Sequence, residues 1–200
     1  NYLKKIRKRC DSVGALLIMD EIQPGFGRTG KLFGFEHYDV IPDILVMGKG
    51  MGGGLPIGAF SSSTEFMNLL SKNPKLGHIT TFGGNPVIAA AALETLRVLK
   101  QEKIIQAVPE KERLFRKLLK HPLVKQINGK GLMLAPLFET EEIANKVVLK
   151  SMNKGLLLFW LLWEKKAIRI SPPLNITKEE IEKGCTLLNE IFDEIQDDFC

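Results

Sequence analysis

A short, unbroken apolar run near the start of this 200-residue chain limits the folds open to it. Residues 15–19 contain no polar side chain, and Asp20 follows them directly. Such a run is typical of a strand that is buried on both faces, as the strands of a parallel sheet are. Residues 43–47 form a second run, which ends at Gly48, and residues 57–60 form a third. The pattern predicts an α/β layer.

The rest of the chain divides into two predicted domains. Glycine and proline mark residues 24–30 and 51–56 as loops, and residues 85–100 are predicted to form a helix that Asn85 caps. After residue 101 the pattern changes to charged amphipathic helices and short strand pairs, one of them predicted to turn at Asn128 and Gly129. We therefore expect an α/β domain over residues 1–100 and a smaller α+β domain over residues 101–200.

Charge and composition exclude several classes of protein. The chain has 28 basic and 23 acidic residues, and this excess of five is too small for a dedicated nucleic-acid binder. Its longest apolar run, residues 155–163, is far shorter than the roughly 20 residues that cross a bilayer. The three cysteines form no CxxC pair, which predicts free thiols in a reducing compartment, and no histidine spacing indicates a metal site.

Three charged residues have positions that suit chemistry. Asp20 follows a predicted buried strand, where open α/β sheets build ligand crevices, although a structural ion pair would satisfy its charge equally well. Lys49 lies between two glycines without a Walker pattern, and a buried lysine can act as an amine nucleophile. Arg169 ends a predicted strand and could pair with a carboxylate ligand or form a structural salt bridge.

These residues belong to an ordered series of motifs. DEIQ occupies residues 20–23, and GRTG, GKG and GGLPIG follow at residues 27–30, 48–50 and 53–58; TTFGGNP and IRISPPL occupy residues 80–86 and 168–174. The series resembles the class III (acetylornithine/ornithine-type) aminotransferases, which are pyridoxal-phosphate enzymes of fold type I. The resemblance covers the C-terminal half of the family's chain. It implies that residues 1–100 are part of the large cofactor domain and that residues 101–200 form the small C-terminal domain.

The resemblance implies two catalytic residues. Lys49 matches the lysine that forms the Schiff base with the aldehyde of pyridoxal 5'-phosphate and then moves the proton. Asp20 matches the partner of the pyridine nitrogen, which its charge keeps protonated so that the ring accepts electrons. Glu21, between Asp20 and the rest of the motif, is expected to stabilise the loop instead of taking part in the chemistry.

Four further residues are implied to bind cofactor or substrate. Ile22 would pack on one face of the ring, and Gln23 would hydrogen-bond the ring oxygen. Thr81 would reach the cofactor phosphate from the neighbouring subunit of a homodimer. Arg169 would hold the substrate carboxylate.

The function implied by the resemblance is amino-group transfer in amino-acid metabolism. A transaminase would move the group between an amino acid or ω-amino donor and a 2-oxo acid, as a cytoplasmic homodimer without nucleic-acid, membrane or metal partners. An aminomutase or a decarboxylase of the same class is the alternative enzyme, and a non-catalytic binding fragment is the alternative from another class, suggested by the basic residues 4–9. Because the family's upstream half is not in this sequence, we expect the isolated 200-residue chain to be inactive.

Overall fold

A computed structural model describes residues 2–197 of the chain. The chain divides into two compact units, Asn1–Ile105 and Gln106–Cys200. The division lies near residue 101, the predicted start of the second domain. The assignment of the two parts to a large and a small domain of the family stays a prediction.

The first unit is built on a three-stranded sheet. Its elements are α1 (Tyr2–Val13), β1 (Ile18–Asp20), β2 (Ile44–Gly48), β3 (Gly58–Ser62), α2 (Thr64–Leu69) and α3 (Pro86–Gln101), with 3-10 helices at Gly34–His37 and Lys49–Gly52. β1 and β2 run parallel, and β3 runs antiparallel to β2. As predicted, the Asn85 side chain caps α3 and accepts from the N–H of Val87 at 3.0 Å.

The prediction that the first strand is buried on both faces is wrong for this chain. Leu17 is 7% exposed, but Ile18 is 56% exposed and Leu16 is also exposed. β1 is an edge strand of the described sheet, and α1 before it buries none of its residues. The apolar run therefore predicts the strand, but it does not predict how far each face of the strand is buried in this chain.

The second unit packs three helices around two small antiparallel sheets. Its elements are α4 (Ile104–Leu118), which begins at the end of the first unit, β4 (Gln126–Lys130), β5 (Met133–Leu137), α5 (Glu141–Asn153), β6 (Phe159–Trp160), β7 (Ile168–Arg169) and α6 (Lys178–Asp197). Backbone bonds between Leu134 and Ile170 join the two sheets. The core is a continuous apolar cluster that includes Val108, Phe138, Ile168, Ile181 and Phe192.

The predicted turn at Asn128 and Gly129 is misplaced. Both residues lie inside β4, and the chain reverses after Lys130. Gly129 has a φ of +101°, and a Cβ on it would collide with the carbonyl oxygen of Met133. Glycine is needed at this position because the two strands approach each other closely there. A glycine at such a position does not indicate a turn.

Among residues 2–197, none of the helices has the length and apolar character required to cross a membrane. Cys10 and Cys185 are free thiols, and Cys200 lies outside the described residues.

Candidate functional site

The candidate site forms where β1 and β2 end. The two strands are parallel, with Asp20 opposite Val46, and the N–H of Glu21 donates to the carbonyl oxygen of Val46 at 2.9 Å. Parallel strands end at the same edge of a sheet, and ligand crevices form outside those ends. Asp20, which ends β1, and Lys49, which follows β2, therefore lie at one edge.

The Asp20 carboxylate is exposed at this edge and is held in a defined orientation. Its Oδ1 accepts a hydrogen bond from the N–H of Ile22 at 3.0 Å. This local bond fixes the side chain at the start of the loop after β1. The other carboxylate oxygen of Asp20, Oδ2, can bind a ligand because the side chain is exposed.

Lys49 projects from a strained turn. It is exposed, begins the 3-10 helix Lys49–Gly52 and has a φ of +43°. A lysine rarely adopts this left-handed conformation, which costs on the order of 1–3 kcal/mol and persists only where the surroundings impose it. Such strain is characteristic of functional positions.

Small residues bring the neighbouring segments close to this turn. A Cβ built on Gly48 would lie 3.2 Å from the carbonyl oxygen of Ile57 and 3.5 Å from Cγ2 of Ile22. The Ile22 side chain therefore lies beside the backbone just before Lys49. The next glycine, Gly50, faces Phe26, whose Cβ is 3.6 Å from the position of a built Cβ.

The far end of the turn packs against α3. Gly53 has a φ of +59°, and a Cβ on it would collide with Oγ1 of Thr95. That hydroxyl is itself held, since it donates to the carbonyl oxygen of Ala91 at 2.9 Å. Only glycine satisfies both the backbone conformation and the contact with the helix.

The structure gathers some of the predicted site residues and not others. Asp20, Ile22 and Lys49 share the sheet edge, and Gln23 is half-buried in the loop beside them. Thr81 is exposed in a turn before α3, and no hydrogen bond or ion pair of the described residues joins it to Asp20 or Lys49. Among the described residues, Thr81 is therefore not joined to Asp20 or Lys49 by a polar bond.

Arg169 belongs to the second unit. It pairs with Phe159 across β6 and β7, and its Nε is buried with no hydrogen-bond partner among the described residues. The side chain borders a cavity of about 290 Å³ whose other walls are mainly apolar. Since a buried donor without a partner costs free energy, Arg169 Nε is suited to donate a hydrogen bond to a ligand, although Glu180 also lines this cavity.

Sequence reasoning missed Phe26 as part of the site. Phe26 is buried, has a φ of +56° and contacts the ring of Phe33 edge to face at 5.6 Å. A large apolar residue between Gly25 and Gly27 is the signal that could have identified it. Within residues 2–197, no group of three or more His, Cys, Asp or Glu side chains is arranged to hold a metal ion.

Comparison with known proteins identifies the family. The model of the family described as "Aminotransferase class-III" matches residues 1–192. The acetylornithine aminotransferase of Caldanaerobacter subterraneus subsp. tengcongensis is 40% identical over 98% of this chain and 49% of its own length. The chain thus spans about half the length of this curated relative.

Solved structures agree on the fold. The ornithine aminotransferase from Toxoplasma gondii ME49 matches with a TM-score of 0.89 and 37% identity, over 98% of this chain and 48% of that one. A transaminase from the marine bacterium Virgibacillus matches with a TM-score of 0.91 and 26% identity, over all of this chain and 49% of its own. The mixture of helices and strands is that of the α/β fold type I, and the chain belongs to the class III aminotransferase family.

Proposed function

We propose that this chain carries the catalytic lysine of a transaminase dependent on pyridoxal 5'-phosphate. The observation that carries the proposal is the shared sheet edge, at which an exposed acid and an exposed lysine follow two hydrogen-bonded parallel strands. A resident PLP is in line with the Toxoplasma gondii ornithine aminotransferase, one structure of which is described with PLP at the active site.

The residues at the edge fit this cofactor. The Lys49 amine matches the aldehyde, and the anionic carboxylate of Asp20 matches a protonated pyridine nitrogen. Gly48 and Gly50 leave the backbone around Lys49 without side chains, and Ile22 offers an apolar surface beside them. When bound, the cofactor supplies an electron sink for the charge that develops on the substrate carbon.

Each residue has a defined task in the proposed reaction. Asp20 would hold the ring nitrogen of the cofactor in its protonated form, since a negative charge nearby favours the cationic form. Lys49 Nζ would take a proton from the substrate carbon and deliver it to a carbon of the cofactor. Gln23 would hydrogen-bond the ring oxygen, and Thr81 would bind the phosphate from a second subunit.

Arg169 is proposed to select the substrate. Its guanidinium pairs with a carboxylate through two parallel hydrogen bonds, which orients the substrate as well as binding it. The proposed substrates are therefore an amino donor of the acetylornithine or ornithine type and a 2-oxo acid. Support for the donor class comes from the acetylornithine and ornithine aminotransferases that resemble this chain.

The proposed assembly is a homodimer in the cytoplasm. Thr81 is exposed, and no hydrogen bond of the described residues joins it to Asp20 or Lys49, which agrees with a phosphate contact made across a subunit interface. The free thiols of Cys10 and Cys185 suit a reducing compartment.

Cofactor trapping tests the proposal. The complete protein is mixed with pyridoxal phosphate, reduced with borohydride and digested, and the labelled lysines are identified by mass spectrometry. We expect label concentrated on Lys49, its loss in Lys49→Ala and a fall in transamination of at least about a thousandfold. Exposed Lys31 is the matched control, and its replacement by Ala should leave both readouts unchanged. Label spread equally over surface lysines would contradict the proposal.

A further inference from the structure

Glu21 is a buried charged residue in the middle of the DEIQ motif. It is 1% exposed, although Asp20 before it is exposed and Ile22 after it is only half-buried. Burial of a carboxylate costs free energy unless hydrogen bonds compensate for the lost water. The contacts of Glu21 therefore indicate what the side chain does.

Its two carboxylate oxygens hold the beginning of the 3-10 helix Gly34–His37. Oε2 accepts from the N–H of Gly34 and Oε1 accepts from the N–H of Phe35, both at 2.8 Å. The backbone carbonyl of Glu21 also accepts from the N–H of Gly25 at 3.1 Å. One residue thus closes the loop of residues 22–33 at both its ends.

The closed loop reaches the Lys49 turn through Phe26. This side chain is buried beside Phe33, and its Cβ faces Gly50, the residue that follows Lys49. Phe26 and Lys49 both have left-handed backbones, with φ of +56° and +43°. Two residues with this backbone conformation therefore lie near Gly50, and such conformations persist only where the surrounding structure imposes them.

We propose that Glu21 is a positioning residue for Lys49. By closing the loop, its carboxylate holds Phe26 against Gly50 and so fixes the backbone from which the Lys49 amine projects. The role needs a carboxylate, because two acceptor oxygens receive two amide protons; a glutamine accepts one and turns its NH₂ group toward the other. The inference deepens the proposed function and rests on the role given there to Lys49.

Hydrogen exchange measured by mass spectrometry tests the positioning without cofactor. In the complete protein carrying Glu21→Gln, we expect the amides of residues 34–35 and of residues 50–55 to exchange about tenfold faster, as for the loss of one charge-assisted hydrogen bond. Glu36→Gln is the matched control, since Glu36 is exposed and accepts from the N–H of Phe33 at 2.7 Å. It should leave residues 50–55 unchanged. Faster exchange confined to residues 34–35 in Glu21→Gln would overturn the inference.

A second variant, Gly34→Ala, perturbs the Glu21 carboxylate through the residue that donates a hydrogen bond to it. A Cβ on Gly34 would lie 3.3 Å from both carboxylate oxygens of Glu21 and 3.2 Å from Cβ of Pro24. Gly34→Ala therefore presses by a few tenths of an ångström on the carboxylate and on the loop that it closes, and the charge of Glu21 is kept. We expect a smaller rise in exchange at residues 50–55. If Glu21→Gln does not fold, unchanged exchange at residues 50–55 in Gly34→Ala overturns the inference.

Cofactor labelling separates this inference from the proposed function. In Glu21→Gln, borohydride-trapped label on Lys49 should fall about tenfold while label on exposed Lys31 stays constant. Equal labelling of Lys49 in wild type and Glu21→Gln would contradict the positioning role alone. Absence of selective Lys49 label in the wild type would contradict the proposed function, and the exchange data would still decide whether Glu21 supports the turn.

Discussion

Cys185 shows what enclosure in the core does to a reactive side chain. It lies on α6 in the apolar cluster of the second unit, and burial raises the pKa of its thiol to about 12. The thiolate is the form that reacts with electrophiles, so enclosure suppresses both its formation and its access to reagent.

We therefore expect Cys185 to resist alkylation at pH 8 until the protein unfolds, while half-buried Cys10 reacts in the native state. Peptide mass spectrometry after iodoacetamide treatment, with and without urea, measures each cysteine separately. Native-state labelling of Cys185 at the rate of Cys10 would show that α6 does not enclose it.

At the scale of elements, an ionic contact links α1 to the sheet of the first unit. Oδ2 of Asp43 accepts from the N–H of Leu17 at 2.6 Å and from Nη1 of Arg7 at 2.7 Å. These contacts, the Leu17 bond first and the Arg7 bond second, lower the pKa of Asp43 below its ordinary value of 3.8. The ionised carboxylate therefore stabilises the folded state.

A lowered pKa gives stability that is present above pH ~4 and lost as the pH falls through the folded-state pKa. Asp43→Asn should lower the urea midpoint at pH 7, and the difference from wild type should shrink toward pH 3. Asp39→Asn is the control, because the Asp39 side chain is 86% exposed and its ion pair with Lys4 lies at the surface. An equal loss of stability at both pH values would contradict the ionic account.

The same scale shows how far the sequence predicts this fold. Apolar runs predict β1 and β2 and the end of the sheet that they share, because short continuous apolar runs are typical of strands. Exposure of Ile18 could not be predicted, since the cover of a sheet depends on segments distant in the chain. The turn predicted at Gly129 is misplaced for a related reason. The sequence alone does not distinguish a glycine needed for close contact between strands from one needed for a turn.

For the site, the motifs predict its chemical groups better than its support. Asp20 and Lys49 follow from strand ends, and their roles follow from the family resemblance. The approach of Phe26 to Gly50 brings together segments more than twenty residues apart in the chain, and no periodic pattern encodes it. The strained φ of Lys49 likewise arises from tertiary contacts.

At the scale of the whole molecule, large apolar side chains stand exposed around Thr81. Leu76, Ile79, Phe82 and Val87 are each more than 60% exposed, and Phe82 reaches 79%. Several large apolar side chains exposed within a short segment are typical of an interaction site. The segment is thus suited to cover by a second subunit.

We expect the complete protein to sediment as a dimer. Phe82→Glu places a charge among these apolar residues and should shift the sedimentation coefficient toward the monomer. Lys72→Glu, at an exposed polar position earlier in the chain, should not. A wild-type protein that sediments only as a monomer at micromolar concentration would contradict the homodimer.

The hairpin of β4 and β5 has a consequence for how the second unit assembles. Position 129 tolerates no Cβ, because the carbonyl oxygen of Met133 occupies that space. If the pairing of β4 with β5 shifted by one residue, the side chain of Asn128 or Lys130 would lie where Gly129 now faces Met133. Every residue of the shifted strand would also turn to the opposite face of the sheet. Gly129 therefore helps to select the register of the hairpin, since a pairing shifted by one residue meets this collision.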